Sequence, residues 1–293
     1  MLNPGGNAPH EDLQLVECPR DAMQGWPHPI PTDLKIAYLR LLLAVGFDTL
    51  DFGSFVSARA VPQMSDTHAV IRALEPWQGR TRLLAIVANE RGAREALEYA
   101  SISLLGFPFS ISPTFQQRNT RASQEAAEQC LERIQDLCLK THRDLVVYLS
   151  MGFGNPYGDP YSTQLLLDWV GRLRLLGLQY LSLADTVGMA EPEQVFVTYQ
   201  ALRLHFPDLR PGIHLHARPE QALSKLQAAY RAGCRRFDSA LGGYGGCPFA
   251  EDELVGNLPT ESVLEFLGPQ GGLEHLDLQA LEKARRMLGT LFI

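Results

Sequence analysis

GIHLHARPEQALSKLQAAYRAGCRRFDSALGG, residues 212–243, decides the fold. Gly212 to His216 alternates as a strand, Pro219 to Ala232 carries a helical period stopped by Gly233, and Arg236 to Ala240 alternates again. Strand, helix and strand joined by short turns make a parallel pair with a crossover helix. The same alternation extends back through the chain. Leu13 to Glu17, Phe47 to Phe55, Arg82 to Ala88, Ile102 to Phe109, Asp144 to Ser150 and Tyr180 to Ala184 read as the earlier strands. Between them, helices are expected from a Thr32 or Asp33 cap to Gly46, about Asp66 to Leu74, Glu90 to Tyr99, Ser123 to His142, Thr163 to Leu176 and Glu191 to His205. Eight such units in roughly 240 residues fit a closed (β/α)8 TIM barrel, an α/β fold, better than an open sheet. No Gly-x-Gly-x-x-Gly follows the first strand, which argues against a dinucleotide-binding fold. Thr260 to Leu267 supplies the eighth helix and Asp277 to Leu291 a C-terminal helical extension. The barrel is expected to occupy residues 13–293 as one domain, after a disordered start over residues 1–12.

The polar residues fall where such a barrel places its chemistry. Asp21, Asp51, Ser54, Asp185, His214 and His216 stand at or just past the carboxyl ends of the expected strands. His214 and His216 share a face, because side chains in a strand alternate, so their rings can hold one metal ion. Beyond the eighth strand, Gly242, Gly243, Gly245 and Gly246 let the backbone turn or approach a ligand ahead of Cys247, and Asn257 follows Gly256. Asp21, His214, His216 and Asn257 are therefore the candidate metal ligands. Oxygen ligands with open positions suit Mg or Mn, and imidazoles pull towards Zn. A substrate chelated through a hydroxyl and a carbonyl oxygen would have that hydroxyl acidified. Arg20 would stabilise a developing enolate, the Cys247 thiol would move a proton at carbon in a closed site, and Gln24 and Ser54 would touch substrate. Together these parts describe breaking or making a carbon–carbon bond through an enolate.

Composition narrows the partners. The chain has 293 residues, 45% hydrophobic and 20% charged, with a formal charge of −7 and no sustained basic stripe, so a nucleic-acid partner is not expected. Five cysteines, an odd number without a C-x-x-C pair, do not form a disulfide framework and point to a reducing compartment. With no basic, apolar leader at the start and no apolar run near the roughly 20 residues of a spanning helix, a cytoplasmic protein without membrane insertion is expected. The last helix presents Leu278, Leu281, Met287, Leu288 and Leu291, a stripe that can pack on the barrel or pair two copies as a homodimer.

These residues resemble a known family. Pro19-Arg20-Asp21 with Gln24, Ser54-Phe55-Val56-Ser57 through Val61-Pro62-Gln63-Met64, Asp185-Thr186-Val187-Gly188, His214-Leu215-His216, Gly245-Gly246-Cys247-Pro248 and Gly256-Asn257-Leu258 with Thr260-Glu261 are similar to the 3-hydroxy-3-methylglutaryl-CoA lyases. The resemblance runs from about Leu13 onward, and the Gly-Gly-Cys-Pro loop is specific to the lyase branch of the wider group of metal-dependent barrel lyases, synthases and aldolases. It implies an acyl-CoA substrate cleaved to acetoacetate and acetyl-CoA. It also implies catalytic roles for Arg20, Cys247, His214, Asp51 and Asp185, with Asp21, His214, His216 and Asn257 on the metal. The chain departs from the family pattern at three places: Gly25, Trp26 and Pro27 replace Asn, Glu and a Lys at the thioester; Asp51 replaces Glu; Ala217 and Arg218 replace Asp or Asn and then Thr. The last change is expected to deprive the histidine pair of a supporting carboxylate, weakening metal affinity by roughly 10- to 100-fold. Other 3-hydroxyacyl-CoA or hydroxy-acid substrates, an aldolase, a Claisen-type synthase and a non-catalytic barrel are the competing expectations.

Overall fold

Strand β1 (Gln14–Glu17) lies between β2 (Thr49–Ser54) and β8 (Arg236–Ser239), and this double pairing closes the sheet on itself. In the computed structural model, which describes residues 13–246 and 255–293, the strands run in sequence order as one parallel barrel. β3 (Arg82–Ile86), β4 (Ile102–Ser110), β5 (Asp144–Ser150), β6 (Tyr180–Asp185) and β7 (Gly212–Leu215) complete it. The (β/α)8 TIM barrel is thus the observed architecture. Residues 1–12 and Cys247, for which expectations were stated, lie outside the described residues.

The helices, in chain order, are α1 (Pro19–Gln24), α2 (Thr32–Val45), α3 (Thr67–Leu74), α4 (Glu90–Leu97), α5 (Pro113–Thr120) and α6 (Gln124–Thr141). They continue as α7 (Thr163–Leu175), α8 (Pro192–His205), α9 (Pro219–Arg231), α10 (Thr260–Leu267) and α11 (Leu278–Leu291). Side-chain caps start several of them: Asn89, Ser112, Ser123, Ser162 and Asp277 each accept a hydrogen bond from a first-turn N–H. α2 is an exception to its expected cap. Pro31 occupies that position, and Thr32 donates its hydroxyl to Asp66 Oδ2 at 2.7 Å.

Two hydrophobic regions follow from the alternation of strand side chains. The main core fills the shell between strands and helices, while Leu84, Ile86, Leu104, Val146 and Tyr148 form a separate cluster in the lumen beside β3 to β5. The lumen beside β6 to β8 is polar, with Ser182 paired in register to Gly212, and His214 to Asp238. α11 packs against α2. Its buried stripe is Ala280, Ala284, Leu288 and Leu291, and Leu278 is exposed, so the face is rotated from the one expected. The small alanines at four-residue spacing let the two helices approach, a signal that a search for large apolar residues passes over.

Candidate active site

α1 was not expected, because six residues carry too little periodicity to read. It begins with Pro at its first position, where the missing N–H costs no hydrogen bond, and it folds Arg20, Asp21 and Gln24 over the mouth of the barrel. Arg20 donates from Nε to both Asp51 oxygens at 3.2 and 3.0 Å and from Nη2 to Asp51 Oδ2 at 2.5 Å. Its Nη1 donates to Asp21 Oδ1 at 2.8 Å and to Gln24 Oε1 at 2.9 Å. Four of the five guanidinium hydrogens are used in this way among the described residues, leaving one on Nη2. Gln24 returns Nε2 to Asp21 Oδ1 at 3.1 Å, so the three α1 side chains fix one another.

The imidazoles arrive from β7. His214 is on the strand, whereas His216 lies one residue beyond its end, in an isolated bridge with Asn257. Nonetheless the two Nε2 atoms face each other at 3.2 Å, and they stand 3.9 and 3.8 Å from Asp21 Oδ2. All three residues are buried. Burial resists ionisation of Asp21, but Arg20 and the two imidazoles hold its carboxyl well below the usual carboxylate range. Only one proton can sit between two nitrogens at this distance. A carboxylate and two converging nitrogen lone pairs are therefore a donor set that fits a divalent cation, and Asp21, His214 and His216 form a group able to hold one.

Asn257 reaches the same place differently from the ligand role expected of it. Its Nδ2 donates to Asp21 Oδ2 at 2.8 Å and to the Tyr244 carbonyl at 2.9 Å, so the amide nitrogen faces the carboxylate. Gly245 passes close by with φ of 115°, and a Cβ there would lie 2.3 Å from Asn257 Nδ2. Both the backbone angle and the space at this position call for glycine.

Behind the histidines a carboxylate from another strand faces one ring. Asp238, inside β8, places Oδ2 3.2 Å from His214 Nδ1. His216 Nδ1 has no partner among the described residues, as Ala217 led one to expect. Burial disfavours charge on His214, yet the Asp238 hydrogen bond and the Asp21 charge outweigh it and raise its pKa. Cys18 forms a second group with His214 and Asp238. Burial first, and then Asp238, Asp51 and Asp21, push its thiol far up, so it is a protonated neighbour and a poor ligand.

Asp51 is buried and its pKa is raised to about 6 by desolvation, which the Arg20 charge only partly offsets. Ser54 lines the pocket beside it and accepts a hydrogen bond from the Val56 N–H at 3.2 Å. Asp185 is placed elsewhere. It accepts from Lys225 Nζ at 2.9 Å and from the Ala190 N–H, outside the pocket lining, while its neighbours Ala184 and Thr186 face in. Lys225, fully buried, also donates to the Gly188 and His216 carbonyls, and so pins the backbone that carries the second imidazole. Lys225 and Asp238 were missed in the sequence because a charged residue inside a helix or strand pattern looks like its solvent face. The cavity has a volume of about 130 Å³, with Val56, Val61, Ile86 and Phe115 as its apolar wall and Arg20, Asp21 and the histidines at its polar end.

A closed barrel carries an arginine, a carboxylate and two imidazoles in one cavity at its carboxyl end, and its family and relatives make it a carbon–carbon lyase. The chain belongs to the HMGL-like family, whose model matches residues 13–288. It is 30% identical to hydroxymethylglutaryl-CoA lyase YngG of Bacillus subtilis over 93% of this chain and 88% of that protein. It is also 30% identical to (R)-citramalyl-CoA lyase of Chloroflexus aurantiacus, over 96% and 91%. Among solved structures, an HMG-CoA lyase from Acinetobacter baumannii in complex with coenzyme A and 3-methylmalate superposes with a TM-score of 0.87 at 31% identity, covering 96% of this chain and 91% of that one. Among the described residues, no helix is long and apolar enough to cross a membrane, and Cys18, Cys130, Cys138 and Cys234 are free thiols.

Proposed function

We propose that the protein is a metal-dependent acyl-CoA lyase that cleaves 3-hydroxy-3-methylglutaryl-CoA to acetoacetate and acetyl-CoA. The observation that carries this reading is the convergence of Asp21, His214 and His216 beside the Arg20 hydrogen left uncommitted among the described residues. Asp21 and the two histidines would hold Mg or Mn, with Asn257 as a fourth ligand through its oxygen if the amide turns over. When bound, such an ion lowers the pKa of the substrate hydroxyl and polarises the neighbouring carbonyl. Arg20, kept rigid by Asp51, offers its remaining Nη2 hydrogen to the thioester oxygen on which enolate charge grows as the bond between C2 and C3 breaks. Gln24 holds Arg20 and Asp21 in register. The apolar wall formed by Val56, Val61, Ile86 and Phe115 receives the alkyl group on C3 and keeps water from the enolate. Cys247 delivers the proton that turns the enolate into the acetyl group, and the proton given up by the C3 hydroxyl as it becomes the ketone of acetoacetate returns to the thiolate, so that one proton moves from oxygen to carbon and none is gained or lost.

One observation favours a second substrate. The citramalyl-CoA lyase is as similar in identity and coverage as the hydroxymethylglutaryl-CoA lyase, so the acyl group is set by details of the cavity wall. Citramalyl-CoA would leave pyruvate where the first substrate leaves acetoacetate. The test is to offer each thioester to Mn-loaded protein and to an EDTA-treated control, and to measure both ketoacids. Metal-dependent acetoacetate supports the first assignment, pyruvate the second, and neither product from folded, metal-loaded protein defeats both.

A further inference from the structure

Arg236 opens β8, and its side chain is 12% exposed in the polar half of the lumen. Its Nη1 lies 3.5 Å from Asp238 Oδ1, too far for a hydrogen bond, so the attraction is between charges, and the Tyr148 hydroxyl is the other polar neighbour of the guanidinium. Asp238 is thus held at two points. Oδ2 meets His214 Nδ1 at 3.2 Å, and Oδ1 faces the guanidinium. Room for this arrangement is made on β7. A Cβ on Gly212 would fall 2.4 Å from Arg236 Nη1 and 3.3 Å from its Cδ, and 3.2 Å from Ser182 Oγ. An arginine inside a barrel and a glycine on the facing strand that admits it form one feature written at two distant positions in the sequence.

We propose that Arg236 is a positioning residue for the metal centre: it fixes the plane of the Asp238 carboxylate, and through it the ring and tautomer of His214 that present Nε2 to the ion. The physical reason is that a buried charge pair is several times stronger than one in water. A carboxylate drawn at both oxygens is less free to rotate away from the imidazole. Partners that orient a ligating histidine tune metal affinity by roughly 10- to 100-fold, and a residue one contact further out should act by about 3- to 10-fold. The proposal rests on the metal-site reading above.

The test is Mn²⁺ titration by calorimetry of full-length wild type, Arg236→Met, Arg236→Lys and Gly212→Ala, with thermal melting of each apoprotein. Gly212 is not among the residues with positive φ, so alanine meets the movable end of Arg236 and, less closely, Ser182 Oγ, and not a strained backbone. Arg236→Met should bind Mn²⁺ about 3- to 10-fold more weakly, Arg236→Lys should recover part of the loss, and Gly212→Ala should weaken binding in wild type yet add nothing in the Arg236→Met background. Equal affinity in folded Arg236→Met, with only its melting point lowered, overturns the positioning role and leaves the metal site standing. If Arg236→Met does not fold, Gly212→Ala decides in the same way: unchanged affinity overturns the proposal. Wild type that binds no Mn²⁺ overturns this inference together with the metal-site reading.

Discussion

At the scale of the residue, Arg20 joins the barrel's electrostatics to its chemistry. Although burial works against its charge, Asp51 and Asp21 raise its pKa, so it stays cationic beside the place where an anion would form. Arg20→Gln is expected to lower kcat by about 100- to 1,000-fold with KM little changed, because the interaction strengthens only in the transition state. Steady-state kinetics on the cleaved thioester would measure this, and a change confined to KM would make Arg20 a binding group instead. His216→Ala should abolish stoichiometric Mn²⁺ in elemental analysis, and full retention would remove His216 from the ligand set. Cys247→Ser should keep its metal and lose turnover, which separates proton transfer from ion binding. Unchanged turnover would take the thiol out of the mechanism.

At the scale of the element, Glu17 connects the end of β1 to the start of the glycine loop and to α10. Its carboxyl accepts from the Leu241 N–H at 2.8 Å and from Thr260 Oγ1 at 2.5 Å, and Thr260 is also bonded to Ser239 Oγ at 2.9 Å. Burial raises its pKa to about 8, with Thr260 and Leu241 pulling the other way. The folded chain then keeps a proton that the unfolded chain gives up near the ordinary glutamate value. The stability Glu17 supplies is therefore full below that value and falls as pH rises towards 8, at no more than about 1.4 kcal/mol per pH unit. Glu17→Gln has no proton to lose, and its amide oxygen can still accept from the Leu241 N–H while its nitrogen donates to Thr260 Oγ1, which is left to donate to Ser239. It should match wild type in melting temperature at acid pH and exceed it at pH 9; parallel melting curves across that range would refute the linkage. Much of this level was legible beforehand. The alternation of apolar strands and periodic helices placed every barrel strand to within a few residues, and the acidic, histidine and arginine positions were visible as polar residues at strand ends. What remained hidden was hidden for physical reasons. α1 is too short to show a period, α5 has little apolar face, and Glu17, Asp238 and Lys225 find their partners only when elements distant in sequence become neighbours.

At the scale of the molecule, the departures at Gly25 to Pro27 acquire a structural setting. Trp26 packs edge-on against Phe292, with centroids 5.1 Å apart, and Phe292 stacks on Tyr244 at 4.1 Å. This aromatic cluster joins the exit of α1, the residue after α11 and the glycine loop whose Tyr244 carbonyl holds Asn257. Metal binding should stabilise the whole assembly, because its ligands come from opposite sides of the sheet closure. Mn²⁺ at about 100 times its dissociation constant would add about 2.7 kcal/mol and raise the melting temperature by about 5 °C. Thermal melts with Mn²⁺ and with EDTA would measure the shift, and no difference between them would separate the ion from the fold.

The seam between β1 and β8 gives the protein a temporal order as well as a shape. Asp21, Arg20 and Asp51 are translated early and form their ion pairs within the first two strands, while His214 and His216 come with β7 and Asp238 with β8. Pairing across the seam joins residues as far apart as Gln14 and Arg236, a closure that is slow because so much chain must be gathered first. A chain of six strands therefore holds the Arg20, Asp21 and Asp51 side chains and lacks both His214 and His216. On the proposed reading, the ion's ligands are brought together only when the ring is joined.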